Sequence, residues 1–236
     1  MFLKKITLQN EKRKEEYPFT IPVIQSLKEL ELTNPVTYFV GENGSGKSTL
    51  LEGVADVCGF NPAGGGRNNQ YEVDAAGSDL SEYLRLSWMP KVTNGFFLRA
   101  ESFYQFASHV DQVGSYNAYG GISLHQQSHG ESFMSLFLNR FNGRALYLLD
   151  EPEAALSPQR QLTFLRIIHK LVEEKNCQFI IATHSPILLG YPGASILSFD
   201  EEEIHAIDYE QTHHYQVTKY FLDHRQKFLK DLFEEG

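Results

Sequence analysis

The chain has 236 residues, 42% of them apolar and 22% charged, and its formal net charge is −9. This length and composition predict a soluble α/β protein, and the acidic balance speaks against a freestanding nonspecific nucleic-acid binder, whose affinity would come from neutralising phosphates. No apolar run approaches the roughly 20 residues that cross a bilayer, and two cysteines without metal-ligand spacing predict reduced thiols in a cytoplasmic protein.

The first motif with clear chemistry follows the apolar run Val36 to Val40, which predicts a buried strand. Glycines in the next segment allow backbone N–H groups to converge on phosphates, and a helix beginning near Lys47 adds the positive end of its dipole. We predict that Lys47 contacts the β- and γ-phosphates of a nucleoside triphosphate and that the Ser48 hydroxyl ligates Mg²⁺. The segment contains the pattern G-x-x-x-x-G-K-[ST] and consists of Gly41, Glu42, Asn43, Gly44, Ser45, Gly46, Lys47, Ser48 and Thr49.

A long segment without periodicity follows the helix of this motif. Residues 59 to 78 have turn chemistry, and both a lid over the nucleotide and a plain surface excursion remain open. Within the region that comes next, the apolar strand Gly95 to Ala100 leads into Glu101, and Gln105 lies one helical turn further on. Three cations of this region are predicted to be solvated surface residues: Arg85, Lys91 and Arg99.

The segment Gln127 to Ser132 precedes a predicted helix from Glu131 to Phe141. At the start of a helix, the Ser128 hydroxyl and the Gly130 N–H group can donate hydrogen bonds to a phosphate. An ordinary helix cap is the alternative interpretation of Ser128.

A second apolar strand, residues 145 to 149, ends in the adjacent carboxylates Asp150 and Glu151. Ligands of parallel sheets bind where such strands end. We predict that Asp150 holds Mg²⁺, directly or through water, and that Glu151 polarises the water that attacks the γ-phosphate. This pair predicts hydrolysis as well as binding.

A third apolar strand, residues 179 to 182, is followed by His184, which we predict to sense the γ-phosphate. Between the second and third strands, Pro158 fits the first turn of a predicted helix from Gln159 to Val172.

In this order the motifs resemble those of the ATP-binding-cassette (ABC) ATPases, over residues 36 to 199. The resemblance implies a P-loop NTPase fold, with a mixed, mainly parallel sheet flanked by helices, in a single ABC-type domain over 1–236. It also implies a small helical subdomain over 79–141 that carries the signature segment. ATP and Mg²⁺ are the implied ligands.

The signature segment of the family contacts the γ-phosphate of the nucleotide that the opposing subunit holds. The resemblance therefore implies a head-to-tail homodimer that closes on ATP, with Ser128, Gly130 and Glu131 at the composite site. The segment around Ser157 resembles the family's loop that crosses the dimer interface, and Ser157 fits a helix cap equally well. Tyr17, Phe19 and Arg13 are candidates for contact with adenine, and the first two fit core aromatics as well.

Two departures speak against a typical transporter subunit. The signature is a variant, and either Glu101 or Gln105, or neither, takes the place of the family's glutamine that touches Mg²⁺. The chain is similar to standalone bacterial ATPases without membrane domain or long coiled coil, so we expect it to drive a soluble process such as nucleic-acid repair or defence. A separate effector protein and DNA are open partners.

Two alternatives are the ATP-binding subunit of a membrane transporter and a nucleotide-sensing module with little turnover. The carboxylate pair favours turnover over sensing.

The last segment, Tyr215 to Phe233, carries apolar residues at helical spacing. It predicts an amphipathic helix packed on the domain, with partner docking as an alternative. Four histidines are predicted to lie on the surface: His205, His213, His214 and His224.

Overall fold

The computed structural model of the chain describes residues 1–9, 16–62, 64–67, 79–114, 121–141 and 143–234. The strands are β1 (Leu3–Leu8), β2 (Glu29–Glu31), β3 (Val36–Val40), β4 (Leu84–Trp88), β5 (Gly95–Arg99), β6 (Leu146–Asp150), β7 (Gln178–Ala182), β8 (Ser195–Ser198) and β9 (His205–Ala206). The α-helices are α1 (Pro22–Ser26), α2 (Lys47–Val57), α3 (Leu80–Tyr83), α4 (Phe103–Val113), α5 (His129–Asn139), α6 (Pro158–Lys175), α7 (Pro186–Leu189) and α8 (His213–Glu234).

Six strands form the central sheet in the order β5-β6-β7-β3-β8-β9, and all neighbours are parallel except β8 and β9. A smaller antiparallel sheet has the order β2-β1-β4. Since β3, β6 and β7 are buried at every residue, they are near-continuous apolar runs, as expected for strands covered on both faces.

The apolar core lies on both faces of the central sheet. Side chains alternate along β3, so that Tyr38 packs into the core beneath α4, α5 and α6, and Phe39 packs into the core shared with α2 and the small sheet. Helix α2 packs between the central sheet and the small sheet, and this packing fixes the direction in which its N-terminus points.

The predicted fold class is confirmed, since the sheet is mixed and mostly parallel and helices flank it. The strand predicted at residues 36 to 40 has the observed bounds, the strand predicted from Gly95 to Ala100 ends one residue earlier, at Arg99, and α2 begins at Lys47 as expected. The range 79–141 contains two strands as well as helices: β4 pairs with β1 and β5 pairs with β6. Helices occupy its second part. Most of residues 59 to 78, for which a lid and a surface excursion were both left open, lies outside the described residues.

A buried glutamine joins the two sheets. The side chain of Gln178, at the start of β7, is fully buried. Its Oε1 accepts from the N–H groups of Phe2 and Leu3 at 2.8 and 2.9 Å, and its Nε2 donates to the Leu3 carbonyl at 2.9 Å. One side chain therefore satisfies three backbone groups at the edge of β1.

The prediction that the C-terminal helix packs on the domain is wrong for most of its length. Helix α8 has no buried residue, and Leu222 and Phe233 are 71% and 74% exposed. His224 has non-helical backbone angles, φ −129° and ψ 31°, so the helix is kinked there. Among the described residues, none of the helices combines the length and the apolar character needed to cross a membrane.

We expect Gln178→Met to lower the free energy of unfolding by about 3 kcal/mol or more. The methionine has a similar shape but leaves three buried backbone groups without partners, at about 1–3 kcal/mol each before relaxation. Urea denaturation measures the change. The same substitution at the exposed Gln159, on α6, is the control and should cost less than about 0.5 kcal/mol. Equal effects at both positions would contradict the role of Gln178.

Candidate functional site

The phosphate loop, residues 41–49, runs from the end of β3 into α2. Gly41, Gly44 and Gly46 have φ angles of 143°, 82° and 101°, which residues with a Cβ adopt only with strain. Gly46 is the residue before α2, so the first N–H groups of the helix open towards the loop. The loop has the curled backbone that its glycines predicted.

The ammonium group of Lys47 lies inside this curl. Its Nζ donates to the carbonyls of Gly41 at 2.6 Å and Glu42 at 2.8 Å, and the side chain is buried. Burial lowers the pKa of Lys47, whereas the nearby carboxylates, Glu151 and Asp150 foremost, act in the opposite direction. Phosphate oxygens can replace the loop carbonyls as acceptors for Lys47 Nζ. The position of this ammonium group therefore suits an anionic phosphate ligand.

Ser48 and Asp150 meet at the base of the loop. The Ser48 hydroxyl donates to Asp150 Oδ1 at 3.0 Å, across 102 residues of sequence. Burial raises the pKa of Asp150 to about 7, although the hydrogen bond from Ser48 and the charge of Arg99 oppose this shift. A half-buried hydroxyl beside a buried carboxylate suits Mg²⁺, which needs one or two protein ligands beside phosphate and water oxygens. The pair fits the predicted metal position.

Glu151, directly after β6, has a left-handed backbone conformation with φ 50°. This conformation costs a non-glycine residue about 1–2 kcal/mol. Its N–H group donates to the Ala182 carbonyl at 2.9 Å, which joins the end of β6 to the end of β7. The side chain is 42% exposed, and its Oε1 lies 3.5 Å from His184 Nε2.

His184 follows β7 and lies between two acidic residues. Its backbone N–H donates to Glu153 Oε1 at 2.6 Å, and its Nε2 faces Glu151 without a hydrogen bond to any described residue. Burial raises the pKa of Glu153, and the hydrogen bond from His184 opposes this shift. No role was predicted for Glu153, although its place two residues after Glu151 puts it at the same strand end.

Arg99, predicted as a solvated cation, is instead half-buried at the end of β5. It contacts Glu52 at 2.5 Å and Glu101 at 3.0 Å, and its Nε lies 3.9 Å from Asp150 Oδ2. The parallel register places Arg99 opposite Asp150, because both are the last residues of neighbouring strands. Of the two alternatives for the family's glutamine, Glu101 makes an ion pair in this cluster, and Gln105 is exposed on α4.

Two histidines that were predicted to lie on the surface contact the site. His214 Nε2 lies 3.1 Å from His184 Nδ1, within hydrogen-bonding distance, and His213 Nδ1 lies 3.3 Å from Glu42 Oε1 in the phosphate loop. The surface prediction is therefore wrong for His214, which is half-buried. Asp200 is a further residue without a predicted role. Its Oδ1 accepts from the Glu42 N–H group at 2.7 Å and thereby fixes the first turn of the loop.

The signature segment begins α5. The backbone N–H and the hydroxyl of Ser128 both donate to Glu131 Oε2, at 2.9 and 2.6 Å, in a capping box. These hydrogen bonds lower the pKa of Glu131, and Arg160 lies 3.7 Å away. Gly130 is buried, and a Cβ there would collide with the Arg160 side chain. Ser128 and Glu131 contact each other, and Glu131 also faces Arg160. In the single chain, Ser128 is therefore a helix cap.

Ser157 caps the next helix. Its hydroxyl accepts from the Arg160 N–H group at 3.4 Å, and Pro158 is the first residue of α6. The capping role is thus observed, whereas the interface role stays a prediction.

The structure separates two of the adenine candidates. The Tyr17 hydroxyl lies 3.3 Å from Thr49 Oγ1, and the ring is 62% exposed beside the phosphate loop. Phe19 is buried and packs edge-to-face on Tyr83, with ring centroids 4.9 Å apart, so it has no free face for a base. Arg13 lies outside the described residues. Tyr17 therefore remains as the stacking candidate.

A cavity of about 610 Å³ borders the tip of the phosphate loop. Its wall is formed by the loop residues 42–45, by residues 199–201 after β8, and by Pro22, Val23 and His213. The tip of the loop is therefore open to a ligand of nucleotide size.

Two family models match this chain. One, described as an AAA ATPase domain, matches residues 91–189, and the other, described as an AAA domain, matches residues 21–87. Among known proteins, the chain is similar to the lipoprotein-releasing system ATP-binding protein LolD of Ehrlichia ruminantium, from the strains Gardel and Welgevonden. The identity is 28% over 176 residues, which cover 65% of this chain and 76% of that protein.

Two solved structures align with most of this chain. The cbiO1 protein of Clostridium perfringens, part of the ABC transporter complex cbiONQ, has a TM-score of 0.54 at 15% identity and covers 99% of both chains. The SMC head domain from Thermotoga maritima has a TM-score of 0.47 at 16% identity and covers 88% of this chain and 98% of that one. The first comparison shows that this chain has the same fold as cbiO1.

We expect Asp150→Asn to stabilise the nucleotide-free protein, and more so as the pH rises. The pKa of about 7 in the folded protein lies above the ordinary value, so folding favours the neutral carboxyl, and this contribution is lost as the pH rises through about 7. From pH 5 to pH 8 the parent should lose about 2–3 kcal/mol of unfolding free energy relative to the variant. Urea denaturation without Mg²⁺ at both pH values measures this difference.

The matched control is Asp223→Asn, which neutralises an exposed carboxylate on α8. It should follow the pH dependence of the parent. A stability difference between the parent and Asp150→Asn that is the same at pH 5 and pH 8 would contradict the burial argument.

Proposed function

We propose that the chain is a P-loop ATPase of the ABC type, which binds ATP with Mg²⁺ and hydrolyses it at a site completed by a second copy of the chain. One observation carries the proposal: side chains from three separate strand ends converge beside the phosphate loop. The converging residues are Lys47, Ser48, Asp150, Glu151 and His184.

The proposed reaction divides the chemistry among these residues. Lys47 and the loop N–H groups bind the β- and γ-phosphates, and Ser48 and Asp150 hold Mg²⁺, which neutralises charge on the phosphate oxygens when it is bound. Glu151 orients or deprotonates the attacking water, because its partly exposed carboxylate faces the site. His184 Nε2, which faces Glu151 and lacks a hydrogen-bond acceptor among the described residues, donates to the γ-phosphate.

The second half of the site comes from α5 of the other copy. Ser128 and the Gly130 N–H group at the helix start would donate to the γ-phosphate across a head-to-tail dimer. The close approach of Gly130 to the Arg160 side chain, which leaves no room for a Cβ, supports this proposal, since it brings the start of α5 against α6. The Glu131 carboxylate lies at the same surface, and its pairing with Arg160 offsets part of the repulsion from phosphate. ATP then assembles the dimer and hydrolysis releases it.

We propose that this cycle drives a soluble process such as nucleic-acid repair or defence, through a separate effector protein. The ion-pair cluster of Arg99 with Glu52 and Glu101 supports this role, because it stands where a transporter cassette of the family carries its glutamine. The second candidate is the ATP-binding subunit of a transporter, which the similarity to LolD favours. Stimulation of turnover by DNA would favour the first, and stimulation by a co-expressed permease in vesicles would favour the second.

We expect Glu151→Gln to form a dimer with Mg-ATP and to remain a monomer with Mg-ADP. The amide keeps the shape of the side chain but does not accept a proton, so bound ATP is trapped and holds the two copies together. Light scattering measures the solution mass in each nucleotide. A mass that does not depend on the nucleotide would contradict ATP-driven closure.

Two substitutions in the Glu151→Gln background test the signature segment. Ser128→Arg should abolish the ATP-dependent dimer without weakening ATP binding, because the larger side chain fills the position of the opposing phosphate. Ser128→Thr, which retains a capping hydroxyl, should dimerise like its parent. A Ser128→Arg variant that dimerises normally would refute the assignment of the signature.

Lys47→Ala should weaken ATP binding by about 100-fold or more. The substitution removes the buried cation that contacts two phosphates, and a charge-assisted pair of this kind contributes several kcal/mol. Titration calorimetry with ATP and Mg²⁺ measures the loss. Lys170→Ala removes an exposed lysine of α6 and should bind like the parent. Unchanged affinity in Lys47→Ala would refute the phosphate-loop assignment.

A further inference from the structure

The first residues of α8 touch two parts of the nucleotide site. His214 Nε2 lies 3.1 Å from His184 Nδ1, with the rings at 81° and their centroids 4.7 Å apart. One residue earlier, His213 contacts Glu42 of the phosphate loop. The helix start therefore bridges the histidine after β7 and the loop after β3. The sequence motifs gave these two α8 histidines no role.

The His184 ring has two nitrogens with different surroundings. Nδ1 faces His214, and Nε2 faces Glu151 at 3.5 Å. A neutral imidazole carries one proton, so one nitrogen donates and the other accepts. For Nε2 to donate to a phosphate oxygen, the proton must reside on Nε2, and Nδ1 must then accept a hydrogen bond. His214 Nε2–H is the donor that the structure places at that nitrogen.

We propose that His214 is a positioning residue that donates to His184 Nδ1, fixes His184 as the Nε2–H tautomer and aims this N–H group at the γ-phosphate. The inference rests on the proposed function and extends it to a residue outside the motifs. No proton is transferred in this role. Glu153 holds the backbone of His184, and His214 holds its ring. Together they leave one ring nitrogen for the ligand.

The surroundings of His214 suit a neutral donor. Burial lowers the pKa of His214, and the neighbouring His184 lowers it further, whereas Glu42 and Asp200 act in the opposite direction and His213 adds to the lowering. A neutral His214 with its proton on Nε2 makes the hydrogen bond without placing a positive charge beside the neutral His184 ring. The pair then presents a single N–H group to the site.

The first experiment measures the tautomer directly, in the nucleotide-free full chain labelled with ¹⁵N-histidine. Long-range ¹H–¹⁵N NMR spectra at pH 8 distinguish the Nε2–H form from the Nδ1–H form, and the spectrum of His184→Gln assigns the signal. The parent and His214→Gln, whose side-chain NH₂ group retains a donor, should show His184 mainly as Nε2–H. His214→Leu should show a mixture. The Nδ1–H form in the parent, or no change in His214→Leu, would overturn the inference.

The second experiment measures steady-state ATP turnover. His214→Leu should lower kcat by about 10-fold with KM within about twofold of the parent, the lower end of the 10–100-fold loss typical when a metal-ligating histidine loses the partner that orients its ring. His214→Gln should recover most of the rate. His169→Leu, which removes an exposed histidine of α6, is the control and should leave both parameters unchanged. Equal kcat in His214→Leu and the parent would overturn the inference. A parent without turnover would refute the proposed function instead, and the tautomer measurement would still decide the role of His214.

Discussion

The arrangement of the site depends on the buried carboxyl group of Asp150. A carboxylate removed from water is unfavourable unless hydrogen bonds and opposite charges surround it, and the structure supplies Ser48 and Arg99 for this purpose. These two partners do not offset the burial fully, because the pKa of Asp150 still rises to about 7. Because the ionised carboxylate is not fully stabilised by these two partners, it favours the binding of a cation. Binding of Mg²⁺ and stability of the folded chain are therefore linked through one side chain.

The sequence was sufficient for those parts of the fold and site that depend on short-range pattern. The apolar runs of β3, β6 and β7 predicted buried strands, and the glycines of the phosphate loop predicted its curled backbone. Since parallel strands bind ligands at their carboxyl ends, the convergence of Asp150, Glu151 and His184 followed from the strand ends alone.

The remaining contacts depend on long-range register, which no local pattern encodes. Arg99 reaches Asp150 because β5 and β6 end at the same level, and equal strand lengths were the one signal that could have revealed this. His214 reaches His184 because α8 begins near the end of β7, and its sequence neighbourhood resembles an ordinary amphipathic helix. The apolar spacing of α8 predicted burial, but its side chains are mostly exposed, since periodicity indicates a helix and not what covers it.

The hydrogen bond from Glu151 N–H to the Ala182 carbonyl has a mechanical consequence. Glu151 belongs in sequence to β6, but its strained backbone is tied to the last residue of β7, two residues before His184. The proposed base and the proposed phosphate sensor are therefore attached to the same strand end. Because β7 is hydrogen-bonded to β6 on one side and to β3 on the other, the register of these three parallel strands sets the spacing between this pair and the phosphate loop.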